Sequence, residues 1–227
     1  MKDIHTENLR LAGWLSGLPE HLQSVILDVG IWHDFEPGDT VYTSGGDGNT
    51  IWGIGSGTVK MFISAGEERL RFCHLVGAGY WFGELELLLD MQRIVEMKIA
   101  EPARLLRLRV KDLRTIASRH PEVWLAVARL AATNEALAVA AADDLMLRDP
   151  KKRLAATLLR VTGQRWGFQN TPALKSAPVT NLELSEAANL SRSVTAKIMS
   201  DFASEGTVSK GYKTVRVLRP DRLSGLL

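Results

Sequence analysis

The segment VTNLELSEAANLSRSVTAKIMSDF, Val179 to Phe202, decides the fold of the carboxy-terminal third of the chain. Its apolar residues have helical spacing on both sides of a break near Asn189, which predicts two helices joined by a tight turn. Ser191 follows the break and supplies the hydroxyl oxygen that a helix N-cap requires. The second helix is expected to bury the apolar residues that repeat every four positions: Val194, Ile198 and Phe202.

The other face of the second helix is short, polar and basic, which suits phosphate oxygens and the base edges of a DNA major groove. We expect Arg192 to contact a base, preferably guanine, with Ser193 and Lys197 as the next candidates. A helical hairpin with a solvated polar face is the alternative that this pattern leaves open. The expected DNA contacts of the helix pair are Thr180, Ser191, Arg192, Ser193, Thr195 and Lys197.

Two short β-prone runs follow within residues 207–218, and the turn between them is expected at Lys210-Gly211. They predict a winged helix-turn-helix, with Lys210 and Lys213 placed to contact backbone phosphate. Residues 150–227 carry 13 Lys+Arg against 5 Asp+Glu, a net charge of +8, whereas residues 1–149 carry 15 against 21, a net charge of −6. Positive charge beside the helix pair attracts phosphate whatever the base sequence, so DNA binding is favoured.

Composition limits the class of protein. The chain has 227 residues and 45% hydrophobic content, enough for one large or two modest globular domains. We find no apolar run that is long enough to cross a bilayer and no secretory signal at the start, so we expect a cytoplasmic protein without a membrane partner. The single cysteine, Cys73, excludes an internal disulfide and any four-cysteine zinc or iron–sulfur site within one subunit.

Glycine-rich turns divide residues 32–109 into short apolar runs, which predicts an antiparallel sandwich or roll. Residues 9–28 before it have the spacing of short helices interrupted near Pro19.

A long helix is expected from about His120 to Arg148. A polar Asn134 within an apolar seam can fix the register of two paired helices, although a helix facing the core of a monomer is the alternative. Asp149-Pro150 then predicts an N-cap and a proline at the first position of the next helix, and hence a domain boundary. The residues expected at the dimer seam alternate four and three apart: Val123, Val127, Leu130, Asn134, Leu137, Ala141, Asp144 and Arg148.

The motif Phe82-Gly83-Glu84-Leu85, followed by Arg93, resembles the phosphate-binding cassette of cyclic-nucleotide-binding domains. The order of the parts is also similar to that of the CRP/FNR family of bacterial transcription regulators: a glycine-punctuated roll, this cassette, a long helix, an Asp hinge and a winged helix-turn-helix. The resemblance covers nearly the whole chain.

The resemblance implies an α+β fold and an allosteric, non-enzymatic transcription regulator. Its partners would be double-stranded DNA, a second copy of the chain and RNA polymerase, and an effector in the roll would set DNA affinity. The implied domains are an antiparallel, double-stranded jelly-roll-like β-roll sensor with N-terminal helices at 1–119, a long dimerisation helix and hinge at 120–149, and a winged helix-turn-helix domain at 150–227.

In relatives that bind cyclic AMP, the glutamate matching Glu84 accepts the ribose 2′-hydroxyl and the arginine matching Arg93 pairs with the cyclic phosphate. This chain departs from that pattern, since Ile94 replaces a serine or threonine donor, and Ala138 and Val139 stand where polar side chains would meet the adenine. Cyclic AMP, another small effector and a ligand-free pocket holding a Glu84–Arg93 ion pair all stay open. The implied ligand-binding residues are Gly83, Glu84, Leu85, Arg93, Ile94, Ala138 and Val139.

Other classes fit less well, and we expect neither a catalytic nor a metal site. The cysteine count excludes iron–sulfur sensing, and adjacent strand residues Cys73 and His74 point to opposite faces, which disfavours haem. The five histidines lack the close spacing of a cupin metal site. A sensor whose winged helix binds a protein partner is the remaining alternative, and the +8 charge of the carboxy-terminal part counts against it.

Overall fold

The chain forms two compact units. One holds the described residues up to Val59 together with Val76–Glu135, and the other holds those between Lys60 and Leu75 together with those from Ala136 onward. The computed structural model of the protein describes residues 3–64, 66, 69–165 and 173–227.

Short helices precede the sheet, as the sequence predicts. Helix α1 spans Ile4–Leu11 and α2 spans Glu20–Asp28, with a 3₁₀ turn at Gly13–Gly17 between them. The Asp3 carboxylate caps α1 by accepting a hydrogen bond from the backbone N–H of His5. The apolar faces of these elements lie in the core of the first unit, through Leu9, Trp14, Leu15, Leu22 and Ile26.

The strands of the roll are β1 Ile31–Phe35, β2 Thr40–Tyr42, β3 Thr50–Ile63, β4 Arg71–Gly77, β5 Trp81–Phe82 and β6 Glu96–Arg109. They form one sheet in the order β1-β6-β3-β4, with β2 paired to β6 and β5 paired to β3. The pairing is antiparallel, with Trp32 opposite Leu106 and Trp52 opposite Phe82. The predicted antiparallel roll is therefore confirmed.

Two helices flank the last strand of the roll. Helix α3, Leu85–Leu89, follows β5, and α4, Val110–Arg119, follows β6. Leu113 and Ile116 of α4 join the core of the first unit. The cassette motif therefore lies where the short strand β5 leaves the sheet, and Arg93 lies in the segment that returns to β6.

Helix α5 spans Glu122–Met146. Val123, Val127 and Leu130 are buried in the core of the first unit, and Asp144 near the other end of the helix is also buried. These residues belong to the seam that the sequence assigned to a partner helix. For these four residues that assignment is wrong, because they face the protomer's own interior. Of the other predicted seam residues, Asn134, Leu137 and Ala141 are half-buried and Arg148 is exposed.

The exposed face of α5 is offset by two positions from the predicted seam. It is mostly apolar or small, and the helix is long and apolar enough to meet the length and composition of a membrane span, with a mean hydropathy of 1.3 in its most apolar window. Scattered charges interrupt the apolar residues of α5, so the sequence shows no continuous apolar run there. A helix that packs against protein on two sides has the same composition as a membrane span. The exposed positions that share this face are Leu125, Ala128, Ala132, Glu135, Val139, Ala142 and Met146.

The carboxy-terminal part contains α6 Pro150–Val161, α7 Asn181–Ala187, α8 Arg192–Ser204, β7 Val208–Gly211, β8 Thr214–Val217 and α9 Pro220–Ser224. The Asp149 carboxylate caps α6 as predicted, accepting from the backbone N–H groups of Lys151 and Lys152 at 2.7 and 3.0 Å. The wing turn lies two residues later than predicted, because Gly211 pairs with Thr214.

Candidate functional site: the DNA-binding surface and the sensor cassette

Helix α7 begins with a reciprocal cap at Thr180. The Thr180 hydroxyl accepts from the backbone N–H of Glu183, and a Glu183 carboxylate oxygen accepts from the backbone N–H of Thr180 at 2.8 Å. The backbone N–H and the hydroxyl of Thr180, an expected DNA contact, are thus both hydrogen-bonded to Glu183. The local role of Thr180 is to cap the start of α7.

Helix α8 begins at the predicted cap, with the Ser191 hydroxyl accepting from the backbone N–H of Val194 at 3.3 Å. Ile198 and Phe202 are buried as expected, but the first residue of the buried stripe differs from the expected one. Thr195 is completely buried beside Ile198, whereas Val194 is 37% exposed. Thr195 is therefore a correction to the expected DNA contacts, because its side chain faces the core of the helix pair.

The exposed face of α8 carries Arg192, Ser193 and Lys197. Neither Arg192 nor Lys197 has an ion-pair partner among the described residues. Arg192 and Ser193 occupy the first turn, so their side chains and the free backbone N–H groups of the helix end face the same solvent. The helix thus offers unneutralised donors that suit phosphates and base edges.

The wing adds two more exposed cations. Lys210 lies on β7, and Lys213 lies in the turn with a left-handed backbone conformation, φ 53°. Between them along the chain, Tyr212 is among the most exposed aromatic side chains described, and the Lys213 ammonium lies 5.3 Å from its ring centroid. Both lysines are placed for solvent-facing contacts, as the sequence predicts.

Two glutamates of α7 form ion pairs that sequence reasoning missed. A Glu183 oxygen lies 2.6 Å from Nζ of Lys60 on β3. Glu186 pairs with Arg69 and accepts from the backbone N–H of Phe72 at 3.1 Å. Both carboxylates are thereby neutralised within the second unit, so they oppose DNA phosphate less than free carboxylates would.

In the cassette, Gly83 has a left-handed conformation, φ 93°, and a Cβ there would overlap the Arg93 guanidinium. Glu84 is buried and accepts from the Asn134 side chain at 2.9 Å. Burial raises the pKa of the Glu84 carboxyl, and the Asn134 hydrogen bond opposes that rise. Asn134, which was expected to fix a dimer register, instead holds a carboxylate of its own unit.

Arg93 is 2% exposed, and both its terminal nitrogens bind groups of the first unit. Nη1 donates to a Glu86 carboxylate oxygen at 2.7 Å, and Nη2 donates to the backbone carbonyl and hydroxyl of Thr50. The guanidinium also stacks on the Tyr42 ring, 4.1 Å from its centroid. The alternative of a Glu84–Arg93 ion pair is therefore wrong: the partner of Arg93 is Glu86, and Glu84 binds Asn134.

Glu86 is not among the residues expected from the sequence, because the motif that carries the resemblance ends at Leu85. Leu85 itself is half-buried. The signal was a carboxylate two positions after Glu84, on the short helix α3 that faces the returning Arg93 segment.

These residues do not fit a cyclic phosphodiester. The phosphate would need the guanidinium that Glu86 holds, and it would lie near two buried carboxylates, Glu84 and Glu86. Ile94 is 54% exposed and offers no donor to the cassette. Ala138 and Val139 are exposed on α5 in the second unit and have no side-chain donors.

Cys73 and His74 lie beside Arg160 in the second unit. Arg160 donates to the Cys73 carbonyl at 3.0 Å and pairs with Asp144 at 2.7 Å. Burial and the Arg160 charge lower the pKa of His74 well below its usual value. Among the described residues, no group of three or more His, Cys, Asp or Glu side chains is arranged to hold a metal ion.

Comparison with known proteins places both halves of the chain. The family model described as Cyclic nucleotide-binding domain matches residues 32–120, and the model described as Crp-like helix-turn-helix domain matches residues 152–226. The second match decides against a solvated helical hairpin. A CRP-like cAMP-activated global transcriptional regulator of Mycobacterium tuberculosis is 29% identical over 197 residues, which cover 84% of this chain and 85% of that protein.

Solved structures agree with this placement. The Thermus thermophilus Catabolite Activator Protein is 25% identical with a TM-score of 0.53, covering 94% of this chain and 97% of that one. FixK2 from Bradyrhizobium japonicum has a TM-score of 0.71 at 13% identity, covers 87% of this chain and 97% of that one, and shares the fold. With a cyclic-nucleotide-binding-type roll followed by a Crp-like helix-turn-helix, this chain is a CRP-like transcription regulator and belongs to the CRP/FNR family of bacterial transcription regulators.

Proposed function

We propose that this regulator binds duplex DNA as a homodimer, reads its operator through α8, and has its DNA affinity set through the β-roll. The observation that carries the proposal is the exposed face of α8. Arg192 and Ser193 lie in its first turn, after the Ser191 cap, and Lys197 follows about one turn later. Arg192 is the proposed base-reading residue, since a guanidinium donates to the two major-groove acceptors of guanine. Lys197, Lys210 and Lys213 supply phosphate contacts that fix the position of the helix.

The dimer is proposed to form along the exposed face of α5. Ala128, Ala132 and Ala142 allow close approach of a second helix, while Leu125 and Val139 supply apolar area. With the exposed Glu135 between Ala132 and Val139, these positions alternate three and four apart, which is the spacing of a two-helix seam. A two-fold pair presents two copies of α8, and these must reach successive major grooves about 34 Å apart.

The remaining features follow from the family. We propose that residues 1–119 form the sensor, 120–149 the dimerisation helix and hinge, and 150–227 the DNA-binding domain. RNA polymerase is the proposed protein partner, the cytoplasm the proposed compartment, and no catalytic role is assigned. The relative from Mycobacterium tuberculosis is named as cAMP-activated, but the cassette of this chain supports an effector of another class, because its arginine is engaged by Glu86.

The experiment is fluorescence anisotropy of the purified protein with duplex DNA from its own upstream region, at two salt concentrations, with and without cyclic AMP. We expect tight, sequence-preferring binding that weakens steeply as salt rises, because several phosphate contacts release counterions. Binding should be the same with and without cyclic AMP. Absence of sequence preference under all four conditions contradicts the proposal and points to the protein-binding alternative for the winged helix.

A second measurement tests the dimer. Val139→Glu places a charge in the exposed face of α5, where Val139 is 62% exposed in the single chain, and it should convert a dimer into a monomer in analytical ultracentrifugation. Thr133→Glu changes a position beside that face on the same helix and serves as the control. A wild-type chain that sediments as a monomer overturns the homodimer.

A further inference from the structure

Arg93 and Glu86 form the most enclosed ion pair of the first unit, with side chains 1% and 7% exposed. The guanidinium has the surroundings of an anion site, namely a glycine that gives it room, carbonyl groups that orient it and an aromatic ring beneath it. We propose that the Glu86 carboxylate is the resident anion of this cassette, occupying the place of a ligand's phosphate and closing the roll to phosphodiesters.

The position of Glu86 is built into the backbone. Glu86 lies in the first turn of α3, and its side-chain stem passes so close to Gly48 that a Cβ on Gly48 would overlap it. Any residue other than glycine at position 48 would therefore require Glu86 or the loop backbone to shift. The loop before β3 and the helix after β5 are thus shaped around this side chain.

Arg93 is held from the opposite side. Thr50 accepts two hydrogen bonds from Nη2, the Gly83 carbonyl lies 3.4 Å from Nη1, and Tyr42 lies against the guanidinium plane. Nε of Arg93 has no hydrogen-bond partner among the described residues, but both terminal nitrogens are engaged, so an entering phosphate would have to displace Glu86 from Nη1 or Thr50 from Nη2 to obtain a two-pronged contact.

Charge balance opposes that displacement. Arg93 has one carboxylate partner, Glu86, and Glu84 is a second buried carboxyl whose pKa burial raises. A phosphodiester would bring another negative charge and release Glu86 as an unpaired buried carboxylate. Glu86 therefore acts as the specificity-determining residue of the sensor, which excludes cyclic AMP and related phosphodiesters as its effectors. This inference rests on the proposed sensor role of the roll.

Glu86→Ala provides the test, since it leaves the anion site without its resident carboxylate. We expect the variant to melt at a lower temperature than the wild type and to recover when inorganic phosphate or cyclic AMP is added. At a hundred times the dissociation constant the recovery should be about 5–10 °C for a chain of this size. Wild-type protein should show no such shift and no heat of binding with cyclic AMP.

Asp144→Ala is the control, because it also removes the carboxylate from a buried arginine, Arg160, in the other unit, and with it one partner of Arg165. Chloride at equal ionic strength controls for the general stabilising effect of salts. A phosphate response confined to Glu86→Ala supports the proposal. An equal response of Asp144→Ala overturns it, since rescue would then be a general property of orphaned arginines.

Two further outcomes also overturn the proposal: cyclic AMP binding by the wild type, or a folded Glu86→Ala that ignores both phosphate and cyclic AMP. If Glu86→Ala does not fold, Glu86→Gln replaces it, because the amide keeps the volume and an acceptor for Arg93 but removes the charge. It should respond to anions in the same direction, and a folded Glu86→Gln without any response counts against the proposal. All these measurements omit DNA, so they fail independently of the proposed operator binding.

Discussion

Arg93 in the cassette and Arg192 on α8 are the same side chain in opposite circumstances. Arg93 is buried, paired with Glu86 and stacked on Tyr42, whereas Arg192 is exposed, with no partner among the described residues. A guanidinium binds phosphate only when it is not already neutralised or when the ligand can replace its partner. Arg192 is therefore available to the phosphates of DNA, whereas Arg93 is not available to the phosphate of a small ligand unless Glu86 is displaced.

The same contrast appears in the carboxylates of the two regions. Glu183 and Glu186 on α7 are paired with Lys60 and Arg69, so these two carboxylates oppose the cations of the helix pair less than free carboxylates would. In the cassette, Glu84 and Glu86 are both buried, so two carboxyl groups accompany a single arginine. The charges of the winged helix attract anions, whereas the buried carboxyl groups of the cassette disfavour an additional anion.

The largest expected effect is on stability, when one partner of the buried pair is removed. Glu86→Leu or Arg93→Met alone should lower the free energy of unfolding by about 3–5 kcal/mol, because each leaves an uncompensated buried charge. The double variant Glu86→Leu/Arg93→Met should recover most of that loss, because apolar groups of similar volume replace the pair. Urea denaturation of all four proteins gives the coupling energy.

The surface pair Arg109–Asp112, with side chains 50% and 21% exposed, is the control for this cycle. Its removal by Asp112→Ala should change stability by at most about 1 kcal/mol. Single cassette variants that cost no more than this would show that Arg93 is solvated in solution, and the contrast with Arg192 would disappear.

The next effect in size concerns DNA affinity. Arg192→Ala should weaken operator binding by about 1–3 kcal/mol and relax specificity at one base pair, because a two-pronged contact to guanine is lost. Anisotropy titrations against operators mutated at single positions measure both quantities. Arg119→Ala, an exposed arginine at the end of α4, is the control and should bind as the wild type does. A uniform loss across all operators would make Arg192 a phosphate contact instead.

The local features of the helix pair were easier to predict from the sequence than the burial of its individual residues. The helix pair, the Ser191 cap and the Asp149 cap were predictable, because caps and apolar spacing are local properties. On α8, Ile198 and Phe202 are buried as predicted, and only the first residue of the stripe is wrong, because Thr195 is buried in place of Val194. The hydroxyl of a threonine does not by itself indicate exposure, because the methyl group of the same side chain can pack in a core.

The errors on α5 and in the cassette have a different cause. An apolar helix with alanines on several faces has more than one heptad frame, and only the position of the roll decides which frame is buried, as Val123 shows. Glu86 and Asn134 find their partners seven and fifty positions away in the chain. Such pairings depend on how strands and helices meet in three dimensions, so no local spacing indicates them.

A smaller effect separates capping from DNA contact at Thr180. Thr180→Ala should cost about 1 kcal/mol of stability, because it removes the side-chain half of the cap that starts α7. Operator affinity, measured well below the melting temperature, should change little, and base preference should not change. Thr180→Ser keeps the hydroxyl and is the control. A loss of affinity in Thr180→Ala without a loss of stability would restore Thr180 to the DNA contacts.

The smallest effect is expected at the wing. Lys210→Ala removes one exposed cation of β7, so operator and random duplex should both bind a few-fold more weakly at low salt, and the slope of log affinity against log salt should fall by about one. Lys111→Ala removes the same charge from α4 in the first unit and is the control. If both substitutions act alike, net charge alone attracts the DNA; if only Lys210→Ala acts, the wing makes a local phosphate contact. A change of base preference in Lys210→Ala would contradict its role as a phosphate contact, because a phosphate contact alone does not read sequence.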